Sequence, residues 1–437
     1  MNAIREAMDG FLRFLPESDC DAEALCRAAE HFGLTAADIR TAAEKLPLNH
    51  DMGYKGVRML IAGCLMELAS MFGREERARC EVSVPAPVCA MLAFADCARD
   101  KIRFSSGAFF AQIVLRGLFL FREPMDLTSC PKRRCGLNKM REHLLSDPEL
   151  EVIDYQLTFG VLCDECVKTS GLSQKSCRTV SVSFPKNCSD RRALRAMAEA
   201  FAERTYAELG FRAGAENYRN ACKLYGRMLA AEKKIARLNA RPDRRPLMGN
   251  SLALTQSVLL MTADKTEYFV SALELLAEEM ENAPEARERR RIFCFYVPFL
   301  QPEIDRRFRE NGVYLVGGGA FLERESCPGL DIADSVAAWL CGMNIRARTE
   351  DECRTLAKAM RENGCGVYLT GNFAFDRWLG AAVPLQRKLL KEKYGLSVRT
   401  LEADFWCENL MFGSALERID HICEMLITPG DSRQGDA

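Results

Sequence analysis

The sequence predicts an α/β protein. It reads as two doubly wound parallel-sheet lobes of Rossmann or flavodoxin-like type, joined by a helical linker layer and preceded by an N-terminal helical extension. Three observations carry this. Short apolar runs alternate with amphipathic helical stretches twice along the chain, over 77–189 and again over 291–427, and strands spaced by helices build parallel sheets covered on their faces. Between them, residues 190–290 keep helical periodicity almost throughout. At 437 residues the chain exceeds what one core fills, and usual domain sizes give roughly two to four domains.

Residues 1–76 form the extension. Apolar residues recur at i, i+3 and i+4 over 24–37 and 57–71, and Leu46-Pro47-Leu48-Asn49 reads as a break between helices. No chemistry-bearing motif falls here, so a packing or subunit-contact element is expected. In the first lobe, strands are expected at 80–84, 101–104, 152–162 and 179–184, with helices at 85–99, 106–121 and 138–145. The linker helices are expected at 191–208, 215–238, 255–262 and 265–280, with a Pro- and Arg-rich break at 239–248. In the second lobe, strands are expected at 292–297, 313–316, 366–369 and 397–401. Helices are expected there at 301–311, 331–343, 353–363, 383–394 and 414–426. The small, polar tail 428–437 reads as disordered.

Composition narrows the function classes. The chain is 48% hydrophobic and 28% charged, with 60 basic and 61 acidic side chains. That balance offers no electrostatic footprint for nucleic acid or an anionic membrane surface. No apolar run reaches the ~18 residues of a membrane span, and the acidic start MNAIREAMDGFLRFL lacks a signal-peptide core. A cytoplasmic location is expected. In such a chain, 20 cysteines point to a reducing compartment, with most thiols in the core and a few binding metal. The four histidines form no spaced ligand pair, and serine-hydrolase, P-loop and metalloprotease signatures are absent.

Ligands of open α/β sheets bind beyond the carboxyl ends of the strands, so those ends are where chemistry is expected. The strand expected at 152–162 runs into Cys163-Asp164-Glu165-Cys166, and a second candidate crest carries Cys130 and Cys135 around Lys132, Arg133 and Arg134. Thiolates suit iron–sulfur clusters or zinc, and neighbouring cations favour the deprotonated form. A four-cysteine zinc site is the alternative metal reading, and core packing or an unrelated redox pair the non-metal one. In the second lobe, Gly317, Gly318 and Gly319 follow a strand and would let backbone approach a ligand. A tight turn explains them equally well. Asn372 lies at a further crest.

The order of these segments resembles the family of anaerobic 2-hydroxyacyl-CoA dehydratase D components and benzoyl-CoA reductase subunits, over about 77–426. The resemblance is carried by EVIDYQLTFGVLCDEC in the first lobe, ENYRNACKLYGRMLAAEKKIARLNARPDRRPLMGN in the middle, and VYLVGGGAFLER and VRTLEADFWCENLMFGSALERIDHICEML in the second. It implies an oxygen-sensitive subunit paired with a related, paralogous subunit. It also implies an iron–sulfur cluster of 4Fe–4S or double-cubane type, fed by an ATP-dependent iron–sulfur activator, acting on an acyl-CoA thioester. In the dehydratases of the family the thioester becomes a ketyl radical anion that expels the 2-hydroxyl; in the reductases the electron enters the ring.

By the same resemblance, the first cluster cysteine falls on Cys130 with Cys135 as its neighbour, and the second on Cys163. The third belongs to a Phe-Cys-Asp-like loop that here reads Asn372-Phe373-Ala374-Phe375-Asp376, so Ala374 stands in its place. A substitute ligand (Cys166, Cys135 or Cys327), a double-cubane arrangement using also Cys177 and Cys188, or loss of the cluster are the alternatives. Ser83, just before Val84-Pro85, falls where some members carry a catalytic serine. Its other reading is a hydroxyl capping the next helix. A non-catalytic partner subunit, or a double-cubane reductase without CoA substrate, completes the set.

Overall fold

A computed structural model describes residues 2–73, 76–120, 135–146, 153–161, 166–168, 177–185, 188, 190–284, 290–295, 302–317, 329–342, 348–373, 377–403 and 412–426. The extension is four helices: α1 (Asn2–Leu12), α2 (Ala22–His31), α3 (Ala36–Asn49) and α4 (Lys55–Phe72). The first lobe follows as β1 (Ala78–Val82), α5 (Val88–Ala98), β2 (Ile102–Ser105) and α6 (Gly107–Gln112). It continues through a π-helical turn (Ile113–Leu118), α7 (Gly136–Ser146), β3 (Tyr155–Gly160) and β4 (Arg178–Ser183). The linker helices are α8 (Arg191–Leu209), α9 (Ala215–Ala240), α10 (Gly249–Ser257) and α11 (Thr266–Glu281). The second lobe is β5 (Arg290–Phe295), α12 (Pro302–Glu310), β6 (Val313–Val316), α13 (Ile332–Gly342), α14 (Thr349–Glu362), β7 (Val367–Phe373), α15 (Arg377–Tyr394), β8 (Ser397–Ala403) and α16 (Phe412–Glu424).

Both sheets are four-stranded and parallel, with the same order: β2-β1-β3-β4 and β6-β5-β7-β8. The predicted fold class is therefore what the structure has. In the first lobe one sheet face carries Val82, Phe104, Leu157, Phe159 and Val180, all buried. Phe159 meets Phe201 of α8 at 4.8 Å between centroids, and Phe104 meets Phe211 at 6.2 Å. The second sheet is buried on both faces. Ile292, Leu315, Leu369 and Leu401 pack with Ile304 and Phe308 of α12 and Ile419 and Ile422 of α16. Phe293, Tyr368 and Val398, on the other face, join the main core.

Several element boundaries differ from the sequence expectation: the helix expected at 106–121 becomes α6 and a π-helical turn, α14 starts at Thr349, and β7 runs on to Phe373. Leu46-Pro47-Leu48-Asn49 does separate two helices, but as the last turn of α3, which runs through Pro47 and ends at Asn49 before α4 begins at Lys55. The last carbonyls of α3 find distant donors, with Arg309 giving a hydrogen bond to Leu48 O (2.8 Å) and Asn250 Nδ2 to Asn49 O (3.4 Å). The helix expected at 255–262 begins instead at Gly249. Two carboxylates fix that start, Asp51 accepting from Met248 N (2.7 Å) and Asp305 from Gly249 N (3.0 Å). Neither is near in sequence, so no local signal marks it. The helix expected at 383–394 begins at Arg377 and runs through Pro384.

The extension is bound into the rest of the chain. Glu67 of α4 and Arg103 of β2 form an ion pair at 2.9 Å with side chains 0% and 3% exposed. Ser105 Oγ (2.7 Å) and Lys265 N (3.0 Å) also donate to Glu67. The second lobe docks through α13 on α8, with Arg191 reaching Asp334 (3.1 Å), Arg195 reaching Asp331 (2.6 Å) and Tyr218 donating to Gly329 O (3.3 Å).

Candidate functional site

The strand order of the first sheet changes direction between β1 and β3, which is where an open α/β sheet leaves a crevice. Ser83 follows β1 directly and is fully buried. Its N–H donates to Leu157 O (2.9 Å), and its Oγ accepts from Phe159 N (2.8 Å). The helix-capping reading is thereby overturned: Pro87 precedes α5 and no side chain caps it. The Ser83 hydroxyl extends the β1–β3 ladder instead, and its own O–H is left to donate. The Val84–Pro85 peptide that follows is cis. Cys166, 4% exposed, reaches the same residue of β3, with Sγ 3.2 Å from Phe159 O. Two of the predicted site residues thus meet on one residue, Phe159, at the carboxyl end of β3. Cys130 and Cys163 lie outside the described residues.

Cys135 stands immediately before α7 and is half-buried. Its Sγ accepts from Asn138 Nδ2 at 3.3 Å, and Asn138 Oδ1 accepts from Arg141 at 2.8 Å. Arg141 is 1% exposed, and its charge acts on Glu81 of β1. Burial pushes the Glu81 carboxyl up to about 7; the Arg141 charge and the N–H groups of Ala108 and Gly107 oppose that rise. A chain of hydrogen bonds therefore runs from the Cys135 sulfur to Arg141, whose charge is felt at Glu81 in the first sheet.

The sequence reading missed what Glu81 belongs to. Across the sheet, Ser105, Glu81, Gln156 and Thr179 are register partners. Adjacent rows on this face hold Arg79 with Arg103, and Ser83 with Thr158 and Ser181. Parallel strands usually read as continuous apolar runs because both faces are buried. Here one face is apolar and the other polar, yet Glu81, Gln156, Ser83 and Thr158 are all buried. Strict alternation in RCEVS, YQLT and RTVSVS was the available signal.

In the second lobe, Gly317 ends β6 with φ +122°. A Cβ there would come within 2.8 Å of Cys294 O, so a side chain has no room. Gln256 of α10 donates to Gly317 O at 2.8 Å. Gly318, Gly319 and Ala374 lie outside the described residues. Asn372, expected on a crest beyond its strand, instead lies inside β7, which runs on to Phe373, with its backbone in register with Glu402 of β8.

The remaining thiols divide by burial. Burial pushes Cys20 and Cys423 up to about 11, Cys353 and Cys365 to about 12, and Cys80 and Cys294 well above the ordinary thiol range. Such thiols resist the ionisation that metal ligation requires, and they read as core. Cys177 is half-buried, 3.8 Å from Thr179 Oγ1, and burial raises its thiol too. Cys188 is half-buried and packs against the core. Cys135 suits a metal thiolate, since its sulfur accepts an N–H from an outer amide. Cys166 is a poorer fit while its thiol donates to Phe159 O. Among the described residues no group of three or more His, Cys, Asp or Glu gathers, and no helix is long and apolar enough to cross a membrane.

The sequence model of the family "2-hydroxyglutaryl-CoA dehydratase, D-component" matches residues 124–426. No curated protein matches the chain. The family match spans more than half of the chain and takes in β3, its crest and the whole second lobe, so the protein belongs to the 2-hydroxyglutaryl-CoA dehydratase D-component family.

Proposed function

We propose that this chain is a subunit of an enzyme that removes water from a 2-hydroxyacyl-CoA thioester, working with a related subunit and an ATP-dependent iron–sulfur activator. The family match across 124–426 carries this reading. An iron–sulfur cluster, held at the crest of the first sheet by Cys130, Cys163 and Cys135, would supply a low-potential electron. Thiolate ligation in a largely apolar shell suits that role. In this reading Asn138 orients the Cys135 sulfur, and Arg141 holds Asn138 (2.8 Å) from inside the lobe. Ser83 offers its hydroxyl proton at the β1–β3 crevice. Cys166 braces the crest through Phe159 O.

Iron and acid-labile sulfide analysis of anaerobically purified protein tests this, with equal amounts of the two and broad visible absorption as the expected result. A second reading rests on Ala374, which by the resemblance stands where the family carries its third cysteine: a subunit without its own cluster that shapes the interface for its partner. Iron-free protein that still restores dehydration when mixed with the partner subunit would establish that alternative.

A further inference from the structure

Away from the site just described, α5 packs on α9 and also meets α13 of the second lobe. Ala90 and Ala93 of α5 and Ala221 of α9 are all buried, and small side chains let helices approach to the short end of the usual 8–10 Å spacing. At this contact Cys89 Sγ lies 3.9 Å from Cys222 Sγ. Cys89 is 4% exposed and Cys222 half-buried. One turn before Cys222 on α9, Tyr218 shares a hydrogen bond with its sulfur, interacts with Ser335 of α13, and donates to Gly329 O of the second lobe. The two sulfurs therefore sit beside the side chain that ties the linker layer to α13.

We propose that Cys89 and Cys222 form a reversible disulfide that is a modification site of this chain, and that its closure loosens the seam with α13 at Tyr218. The co-reactant is a low-molecular-weight disulfide such as oxidised glutathione. The half-buried Cys222 loses its proton and its thiolate attacks one sulfur of that disulfide, forming a mixed disulfide and releasing one small thiolate. The Cys89 thiolate then attacks the Cys222 sulfur, forming the intramolecular bond and releasing the second. Two protein thiols give up two electrons and two protons, and one small disulfide becomes two thiols. Bringing the sulfurs from 3.9 Å to bonding distance, about 2.0 Å, turns both side chains and withdraws Cys222 from the Tyr218 hydroxyl.

The test is peptide mapping without reductant. The full-length chain is equilibrated in glutathione buffers of rising oxidised fraction, and residual thiols are alkylated. The expected result is a linked peptide pair containing Cys89 and Cys222 that appears before any other pair of described cysteines. In Cys89→Ala, Cys222 should instead stop as the glutathione adduct. Amide exchange over 329–335 should rise about tenfold in the oxidised form and stay at its reduced level in Cys89→Ala under the same buffer. Separate alkylation of the two residues up to the point of unfolding would overturn the disulfide. A linked pair with unchanged exchange would overturn its action on the seam. Neither readout requires a cluster or turnover, so this proposal and the functional one fail independently.

Discussion

Cys135 and Cys166 differ in which way their sulfurs hydrogen-bond, and the proposed cluster would set them different tasks. Cys135 accepts from an amide, while Cys166 donates to a carbonyl. Cys135→Ser is expected to lose at least half of the bound iron, and Cys166→Ser to keep it while lowering thermal stability. Metal analysis and melting curves of both variants check the pair. Ser83→Ala would leave the buried Phe159 N–H without its acceptor, at a cost of about 1–3 kcal/mol, read by urea unfolding.

Glu81 makes a prediction in pH. Its folded carboxyl titrates at about 7 against an ordinary 4.5, so the folded state holds its proton longer than the unfolded chain does. Its contribution to stability is complete below about 4.5 and is lost as pH rises to about 7. The loss is about 3 kcal/mol for so deeply buried a group. Burial raises Glu352 to about 7, which adds a slope of the same sign. Burial depresses His50 to about 3, so that residue removes stability as pH falls below its ordinary 6.5. Comparing unfolding of wild type and Glu81→Gln at pH 5 and pH 8 isolates the Glu81 part: the variant should be the more stable at pH 8 and lose that advantage at pH 5.

Among the elements, α4 is the one whose role its sequence least suggests. It reads as one more amphipathic helix of an extension, yet Glu67 delivers a carboxylate to Arg103 and Ser105 on the polar face of the first sheet. Removing one member of a buried pair strands the other charge, at about 3–5 kcal/mol. Arg103→Met should therefore be strongly destabilising, and Glu67→Gln with Arg103→Met should recover part of the loss. Chemical denaturation of the single and double variants measures both. The eight strands were legible because each is a short apolar or alternating run. The start of α10 was not, because Asp51 and Asp305 set it from distances of 197 and 56 residues. The polar face was legible but unread: Glu81, Gln156 and Thr179 look like surface residues until the register shows them side by side on a covered sheet.

At the scale of the whole molecule, two lobes with one strand order are held by helices more than by charges. Arg195, whose side chain is 35% exposed, faces Asp331 at 47%, and water-exposed pairs of this kind contribute little to stability and are screened by salt. Arg195→Ala should shift unfolding only slightly, and that shift should shrink further at the higher ionic strength, as a urea series at two salt concentrations would show. The family resemblance was readable from segment order, and the match over 124–426 bears it out. The ligand set was not readable in the same way. Spacing sets Cys163 and Cys166 just after an expected strand, but only folded geometry separates an accepting sulfur, Cys135, from a donating one, Cys166.

The strand order carries a practical consequence for anyone preparing a recombinant fragment. The region matched to the family opens at residue 124, after β1 and β2 have already been laid down. β3 lies between β1 and β4, so a polypeptide started there would bare the backbone donors and acceptors of β3 along one whole side. It would also strip Arg141 of the Glu81 carboxylate. Naked strand edges recruit other chains, and such a fragment should emerge as inclusion bodies while the full-length polypeptide does not.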